Sequence, residues 1–165
     1  MKIVMLIDAL NRGGQERQLV ELLKGFQDNS NYSIEVIVFS KSIQYPEIHD
    51  LGFPIHIIER KPKKDPRAFY KVYRIFQKFR PDLVHSWSAM ASIYASPACS
   101  LLGLKFINQH IMDSAKGLNW FKGRYTKARL SYPFSDVIIS NSKSGLTAYD
   151  AVSYTHLTLP TNREV

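Results

Sequence analysis

Short runs of apolar residues alternate along this chain with segments whose apolar residues recur every three to four positions. The short runs are typical of strands that are buried on both faces, and the spaced pattern is typical of amphipathic helices. Strands are predicted at 2–7, 34–39, 54–58, 82–85, 105–110 and 136–140.

Helices are predicted in the intervals between these strands. The first covers 15–26, a short helical piece lies around 46–51, and longer helices cover 69–79 and 90–102. Pro81 and Gly103 end the last two, and Pro97 lies inside the second of them. Residues 113–133 show no regular pattern, so an irregular region is predicted there, and a further helix begins near 142.

Strands that alternate with helices predict a parallel sheet with right-handed crossovers. Six such strands give an α/β fold with a doubly wound, mostly parallel, Rossmann-like sheet. Ligands of such sheets bind at the carboxyl ends of the strands, where the strand order reverses. The loops at those ends cover 8–14, 85–88, 110–114 and 141–144, and they hold most of the polar and glycine residues that could bind a ligand.

The glycine pair Gly13-Gly14 comes between the first strand and the first helix. Two glycines allow a tight turn, and the helix behind them offers free N–H groups and the positive end of its dipole. This favours contact with a phosphate or a sugar, although a loop that simply needs flexible residues would look the same. The loop lacks the G-x-G-x-x-G pattern of ordinary dinucleotide-binding proteins.

Composition narrows the class of protein. A length of 165 residues suits one domain with one core, and a single cysteine excludes a disulfide framework. No apolar run approaches the roughly 20 residues that span a bilayer, and the start is not a convincing signal peptide, so a cytoplasmic protein is expected. The net charge of +8 favours an anionic partner, and a merely solvated basic surface stays open.

Cations are concentrated in residues 60–80 and 116–129, and aromatic residues are interleaved with the second stretch. That combination suits docking at an anionic membrane surface. For a cytoplasmic protein, this surface would be the inner face of the membrane. Ordinary solvated helix faces are the alternative. No recognised motif supports nucleic-acid binding.

Four segments, in the order and spacing that the predicted fold needs, resemble glycosyltransferase family 4, whose members have the GT-B fold. They are 8–19, with the GG-x-ER pattern of Gly13 to Arg17, then 80–86 (RPDLVHS), 103–110 (GLKFINQH) and 135–142 (SDVIISNS). The resemblance covers about residues 1–150.

The resemblance implies the N-terminal, acceptor-side domain of an enzyme with two Rossmann-like domains. It implies transfer of a sugar from a nucleotide-sugar co-substrate to a hydroxyl of a glycan or lipid-linked acceptor. The anomeric configuration would be retained and neither a metal nor another cofactor would be needed. The donor-binding domain would follow this chain, so residues 1–150 are expected to be inactive alone.

The candidate site residues follow from the loops and the resemblance together. We expect His110 and Asp113 to face the reacting sugar, and Gly13, Gly14 and Arg17 to lie at the phosphate or acceptor side. His85, Asn141 and Ser142 would line the rest of the cleft. Either histidine could instead satisfy polar groups of its own loop. No cluster with metal-ligand spacing is present in the sequence.

The last segment, 151–165 (AVSYTHLTLPTNREV), does not continue the family pattern. It resembles translated sequencing-adapter sequence, and we expect a non-native or flexible tail that packs poorly. Two other functions stay open for the chain. It could be a stand-alone Rossmann-like module that binds a nucleotide or phosphate without catalysis, or a basic module that binds membrane surfaces.

Overall fold

The computed structural model describes residues 1–60, 65–109, 123–140 and 157–158. These residues form a parallel sheet with helices on both faces. The strands are β1 (Lys2–Ile7), β2 (Ser33–Val38), β3 (Ile55–Ile57), β4 (Leu83–Ser86), β5 (Lys105–Gln109), β6 (Val137–Ile139) and β7 (Leu157–Thr158). The helices are α1 (Gly14–Phe26), α2 (Pro66–Phe79), α3 (Ala89–Leu102) and α4 (Gly123–Ser131), with 3-10 turns at Pro46–His49 and Tyr132–Phe134.

The sheet has the strand order β3-β2-β1-β4-β5-β6-β7, and every described pair of strands is parallel. The order therefore reverses between β1 and β4, which is where ligands bind in doubly wound folds. The predicted fold class is confirmed. All six predicted strands form, with ends that differ from the predictions by a residue or two.

Two differences from the prediction concern the last third of the chain. Helix α4 occupies part of the region that we predicted to be irregular, so that prediction is wrong for residues 123–131. The two-residue strand β7, which pairs with β6, falls in the expected tail. Because this pairing concerns two residues, the poor packing expected of 151–165 stays a prediction, and the helix expected near 142 lies outside the described residues.

The core has two parts, one on each face of the sheet. Helix α1 and the Pro46–His49 turn cover one face. Helices α2 and α3 cover the other, and α4 packs beside α3. Helix α3 is apolar on nearly all sides, as a helix must be when neighbours enclose it. Cys99 is buried within α3, as a small core residue, and burial raises the pKa of its thiol.

Local sequence signals explain where the helices begin and end. The Asp65 carboxylate accepts a hydrogen bond from the backbone N–H of Arg67, and Pro66 occupies the first position of α2. Ser88 caps α3 in the same way, through Ala91. Gly103 ends α3 in the left-handed conformation, with φ of 64°.

Within the described part of the chain, none of the helices combines the length and the apolar character that crossing a membrane requires.

Candidate ligand-binding site

The carboxyl ends of the strands carry a group of polar side chains around the point of reversed strand order. Asp8 directly follows β1, Trp87 and Ser88 directly follow β4, and Arg60 lies three residues after β3. Of the predicted site residues, the structure describes Gly13, Gly14, Arg17 and His85. The other four, His110, Asp113, Asn141 and Ser142, lie outside the described residues, and their roles stay predictions.

Gly13 is the residue that precedes the first turn of α1. Its backbone is extended and it has no side chain to cap the helix. The carboxylate of Glu16 lies against Gly13, in the space that a Cβ atom would need, whereas the space around Gly14 is open. The start of α1 therefore already has a negative group beside it. An incoming phosphate would have to displace Glu16, but a sugar hydroxyl could donate a hydrogen bond to it.

Arg17 lies on the exposed side of the second turn of α1. Its backbone N–H donates to the Gly13 carbonyl, as in any helix. No described hydrogen bond or ion pair holds its guanidinium group. It therefore stands at the edge of the loop without a fixed partner among the described residues.

His85 lies within β4 and is 9% exposed. Its ring packs against Trp87, with 4.8 Å between the ring centroids, and its Nε2 lies 2.9 Å from Oε1 of Gln109. Burial lowers the pKa of His85 to about 4, although the hydrogen bond to Gln109 opposes that shift. At neutral pH the ring is therefore uncharged, and it can act as a hydrogen-bonding group but not as a cation.

Asp8 and Arg60 form a charged pair on the other face of the sheet, beside α3. Oδ1 of Asp8 lies 3.8 Å from a terminal nitrogen of Arg60, whose side chain is 16% exposed. The Arg60 guanidinium lies over two stacked rings, 5.2 Å from the centroid of Phe39 and 5.7 Å from that of Tyr94. These rings fix the guanidinium and so fix the position of the charge beside Asp8.

Burial raises the pKa of the Asp8 carboxyl, and Arg60, a hydrogen bond from Ser88 and the charge of Lys127 each oppose the rise. A carboxyl group in this setting accepts hydrogen bonds readily, since less water competes for it. Its Oδ1 has no hydrogen-bond partner among the described atoms.

Four buried side-chain polar atoms lack a hydrogen-bond partner in the described part of the chain, and all four belong to residues at this edge. They are Oδ1 of Asp8, Nε2 of Gln15, Nε of Arg60 and Nε1 of Trp87. Buried polar groups without partners are rare in folded proteins, because each costs about 1–3 kcal/mol. Their concentration at the point of reversed strand order indicates that this edge is built to bind a polar ligand.

A buried polar network centred on Asn108 of β5 lies beneath the site, within the core. The Oδ1 atom of Asn108 accepts from the Ser92 hydroxyl at 2.7 Å, and Nδ2 donates to the hydroxyls of Ser131 and Ser135 at 3.1 and 3.2 Å. Ser92 also lies 2.7 Å from the hydroxyl of Ser86 in β4. The network joins β4, β5, α3 and α4, so it fixes the two strands and two helices on which the site depends.

The loops that contain Asp8 and Trp87 can be predicted from the sequence, but the roles of the side chains of Asp8, Gln15, Arg60 and Trp87 were not among the predictions. In the sequence, Arg60 is one of the cations of the basic stretch 60–80. A charged residue soon after a buried strand was the available signal, because such a position lies at the carboxyl edge of the sheet.

The part of the chain that the structure describes contains no candidate metal site. No group of three or more His, Cys, Asp or Glu side chains is arranged there to hold an ion. That the reaction needs no metal stays a prediction.

The fold is similar to that of solved GT-B glycosyltransferases. HepE from Anabaena, in a complex with UDP and glucose, aligns with a TM-score of 0.74 at 16% identity, over 96% of this chain and 44% of HepE. WaaB, a lipopolysaccharide outer core galactosyltransferase, aligns at 0.70 and 15% identity, over 96% of this chain and 44% of WaaB. MurG from Acinetobacter baumannii aligns at 0.66 and 12% identity, over the full chain and 47% of MurG.

These three likenesses show that the chain has the fold of one Rossmann-like half of a GT-B glycosyltransferase, and that it spans less than half the length of each protein. A comparison with curated protein sequences gave no match. Residues 12–149 match Glycosyltransferase Family 4. The matched residues make up most of the chain, and the chain therefore belongs to glycosyltransferase family 4.

Proposed function

We propose that this chain is the acceptor-binding half of a retaining glycosyltransferase that moves a sugar from a nucleotide-sugar donor to a hydroxyl group. The group of unpartnered buried polar atoms at the point of reversed strand order carries this proposal. A hydroxyl-rich acceptor can both donate and accept hydrogen bonds, so it can satisfy a carboxylate oxygen and N–H groups within one small area.

Asp8 is the residue that we propose to contact the acceptor hydroxyl. The transfer breaks the bond between the anomeric carbon and the phosphate oxygen, forms one from that carbon to the acceptor oxygen, and passes the acceptor's proton to the departing nucleotide phosphate. A carboxylate that accepts a hydrogen bond from the acceptor hydroxyl raises the electron density on that oxygen and orients it. Arg60 keeps Asp8 ionised and in place, because the two aromatic rings hold its guanidinium.

His110, Asp113, Asn141 and Ser142 keep the roles expected from the family resemblance, facing the sugar and lining the cleft. The donor is a nucleotide sugar in this proposal, and UDP-glucose is the first one to test because HepE binds it. We further propose that no metal takes part. Glu16 beside Gly13 favours contact of this loop with a sugar hydroxyl over contact with the donor phosphates.

We propose that the complete enzyme has a second domain and that residues 1–150 do not catalyse transfer alone. The chain covers 44% of HepE and of WaaB, so more than half of each enzyme has no counterpart here. The test is to recover the native reading frame beyond residue 150, express the complete protein and measure transfer of labelled glucose from UDP-glucose and related donors.

Asp8→Asn in that complete protein is expected to lower the transfer rate by about 100-fold, the scale of one positioned acid–base group. Asp50→Asn is the matched control, since Asp50 is exposed and lies beside Gln27, at the opposite end of α1 from Gly13. Absence of transfer from every nucleotide sugar, or equal rates for the two variants, would contradict the proposal. A product of inverted anomeric configuration would contradict the retaining mechanism alone.

The outer face of α2 favours a second role, docking of the cytoplasmic enzyme at an anionic membrane. Lys71, Arg74 and Lys78 are exposed there, no acid occurs in the helix, and no described acid pairs with them. Each cation near an anionic surface contributes about 1 kcal/mol. Changing all three to Gln should weaken sedimentation with phosphatidylserine vesicles about 100-fold, while the triple change of Lys24, Lys41 and Lys105 should not. Equal, salt-independent sedimentation would exclude this role.

A further inference from the structure

An apolar groove crosses the helical face of the domain near the carboxyl ends of the strands. Helix α3 forms its floor, and the start of α2 and the body of α4 form its walls. Its volume is about 630 Å³, which is within the usual range for small-molecule sites. The lining residues are Asp65, Pro66, Met90, Ile93, Tyr94, Thr126, Lys127 and Leu130.

Several apolar side chains that line the groove are at least partly exposed to solvent. Met90 and Ile93 are only partly buried, and Leu130 is 58% exposed at the wall formed by α4. These side chains come from two helices, α3 and α4, and face one space. A chain of methylene groups in that space would remove apolar surface from water along its whole length.

Tyr94 joins this groove to the Asp8–Arg60 pair. Its ring lines the groove, and the Arg60 guanidinium lies 5.7 Å from the centroid of the same ring. Lys127 makes a second connection, since it lines the groove and its charge also acts on Asp8. The end of the groove at Tyr94 and Lys127 therefore lies near the carboxylate that we propose for the acceptor hydroxyl.

The charges that line the groove favour an anionic group on its occupant. The Asp65 carboxylate is already engaged, because it accepts hydrogen bonds from the backbone N–H and from Nε of Arg67 at 3.0 and 3.1 Å. Lys127 is partly buried, and no described acid forms an ion pair with its side chain. An anion beside Lys127 would thus give its ammonium group a direct ion-pair partner, which it lacks among the described residues, beyond its interaction with Asp8.

We infer that the groove binds the apolar chain of a phosphorylated amphiphile, with its phosphate at Lys127 and its acceptor hydroxyl toward Asp8. This inference rests on the proposed function and specifies the acceptor class: a single-chain lipid phosphate derivative rather than a free glycan. The apolar lining binds the hydrocarbon chain of the amphiphile, and Lys127 binds its phosphate. Because Tyr94 lies between the groove and Arg60, the hydroxyl end of the molecule is expected to lie on the side of Asp8.

Calorimetric titration of the 165-residue chain tests this assignment with three probes: decyl phosphate below its micelle concentration, decanol and inorganic phosphate. We expect decyl phosphate to bind about 10-fold more tightly than decanol, the effect of one charge-assisted contact. Inorganic phosphate should give no measurable heat, because it leaves the groove empty. Binding of inorganic phosphate as tight as that of decyl phosphate would overturn the role of the groove.

Two pairs of variants locate the binding. Leu130→Ser should weaken binding of decyl phosphate about 10-fold through lost apolar contact, whereas Leu101→Ser, at the exposed far end of α3, should not change it. Lys127→Gln should reduce the affinity for decyl phosphate to that for decanol, whereas Lys105→Gln should leave both unchanged. Leu130 and Leu101 are both exposed, so neither substitution threatens folding, and equal effects within either pair would refute the inference.

Two further measurements separate this inference from its rivals. Binding to phosphatidylserine vesicles that Leu130→Ser weakens, without binding to decyl phosphate monomers, would assign the groove to a membrane surface and overturn the inference. A Leu130-dependent dimer that excludes decyl phosphate would assign it to a second copy, with the same consequence. Normal binding of decyl phosphate in a complete protein without transferase activity would support the groove and count against the proposed function.

Discussion

Replacing His85 with glutamine removes the buried imidazole at the carboxyl end of β4 while keeping a polar side chain that can bond to Gln109. In the folded protein the pKa of His85 is lowered to about 4, and the ordinary value is 6.5. Above pH 6.5 the ring is neutral in both the folded and unfolded states. As the pH falls below 6.5, His85 binds a proton in the unfolded chain but stays neutral in the folded protein. The free energy of unfolding therefore falls until the pH reaches about 4.

The size of this effect follows from the two pKa values. At about pH 5 the unfolded histidine is almost fully protonated and the folded one is mostly neutral, which lowers the free energy of unfolding by about 2 kcal/mol relative to neutral pH. Glutamine does not titrate. The Gln variant should therefore escape this loss, although other groups change the stability of both proteins in the same way.

Chemical denaturation at about pH 7.5 and at about pH 5 measures the difference, with the free energy of unfolding taken from each transition. The variant should lose about 2 kcal/mol less than the unmodified protein between the two conditions. His49→Gln is the matched control, since His49 is exposed and should leave the pH dependence unchanged. Equal losses in the unmodified protein and in His85→Gln would refute the argument that His85 is neutral because it is buried.

Three other substitutions test separate parts of the structure by denaturation. Asn108→Ala should lower the free energy of unfolding by about 3 kcal/mol, because three buried hydrogen bonds are lost at about 1 kcal/mol each. The control Asn11→Ala, in an exposed loop, should lower it by less than about 0.5 kcal/mol. A similarly small effect at Asn108 would mean that the buried network adds little to stability. Asp8→Asn should raise the melting temperature at neutral pH, since burial disfavours the charge there, and unchanged or lower stability would show that Arg60 outweighs burial. Gly103→Ala should destabilise the protein by about 1 kcal/mol, because Gly103 has a positive φ that alanine adopts only with strain. Gly25→Ala, in the exposed part of α1, should stabilise the protein by about 0.5 kcal/mol. A change in stability of the same sign at both positions would contradict the left-handed cap assigned to Gly103.

The strands and the long helices could be predicted because their signals are local. A strand enclosed on both faces is a run of apolar residues, and α2 carries a regular apolar face, so neither needs knowledge of its neighbours. Helix α4 escaped prediction because its buried side is made of small residues. Ala128 and Ser131 pack against the domain there, and such residues leave no apolar stripe in the sequence.

The site was harder to predict than the fold because its polar residues depend on tertiary neighbours. Asn108 and Ser92 occupy core positions, and nothing in the sequence distinguishes them from surface residues until β5 and α3 are placed side by side. Arg60 presents the same difficulty, since its rings come from Phe39 and Tyr94 in distant segments. Pattern analysis locates the edge of the sheet, but only the packed structure shows which side chains meet there.

The central place of β1 has a consequence for how the domain forms during synthesis. Strand β1 leaves the ribosome before both of its neighbours: β2 appears about 30 residues later, and β4, whose Leu83 lies opposite Ile3, is made later still. Until then one flank of an apolar strand has no partner for its N–H and C=O groups. The nascent chain therefore passes through an interval in which that flank can pair wrongly, and protection of β1 by chaperones would matter most before residue 86 emerges.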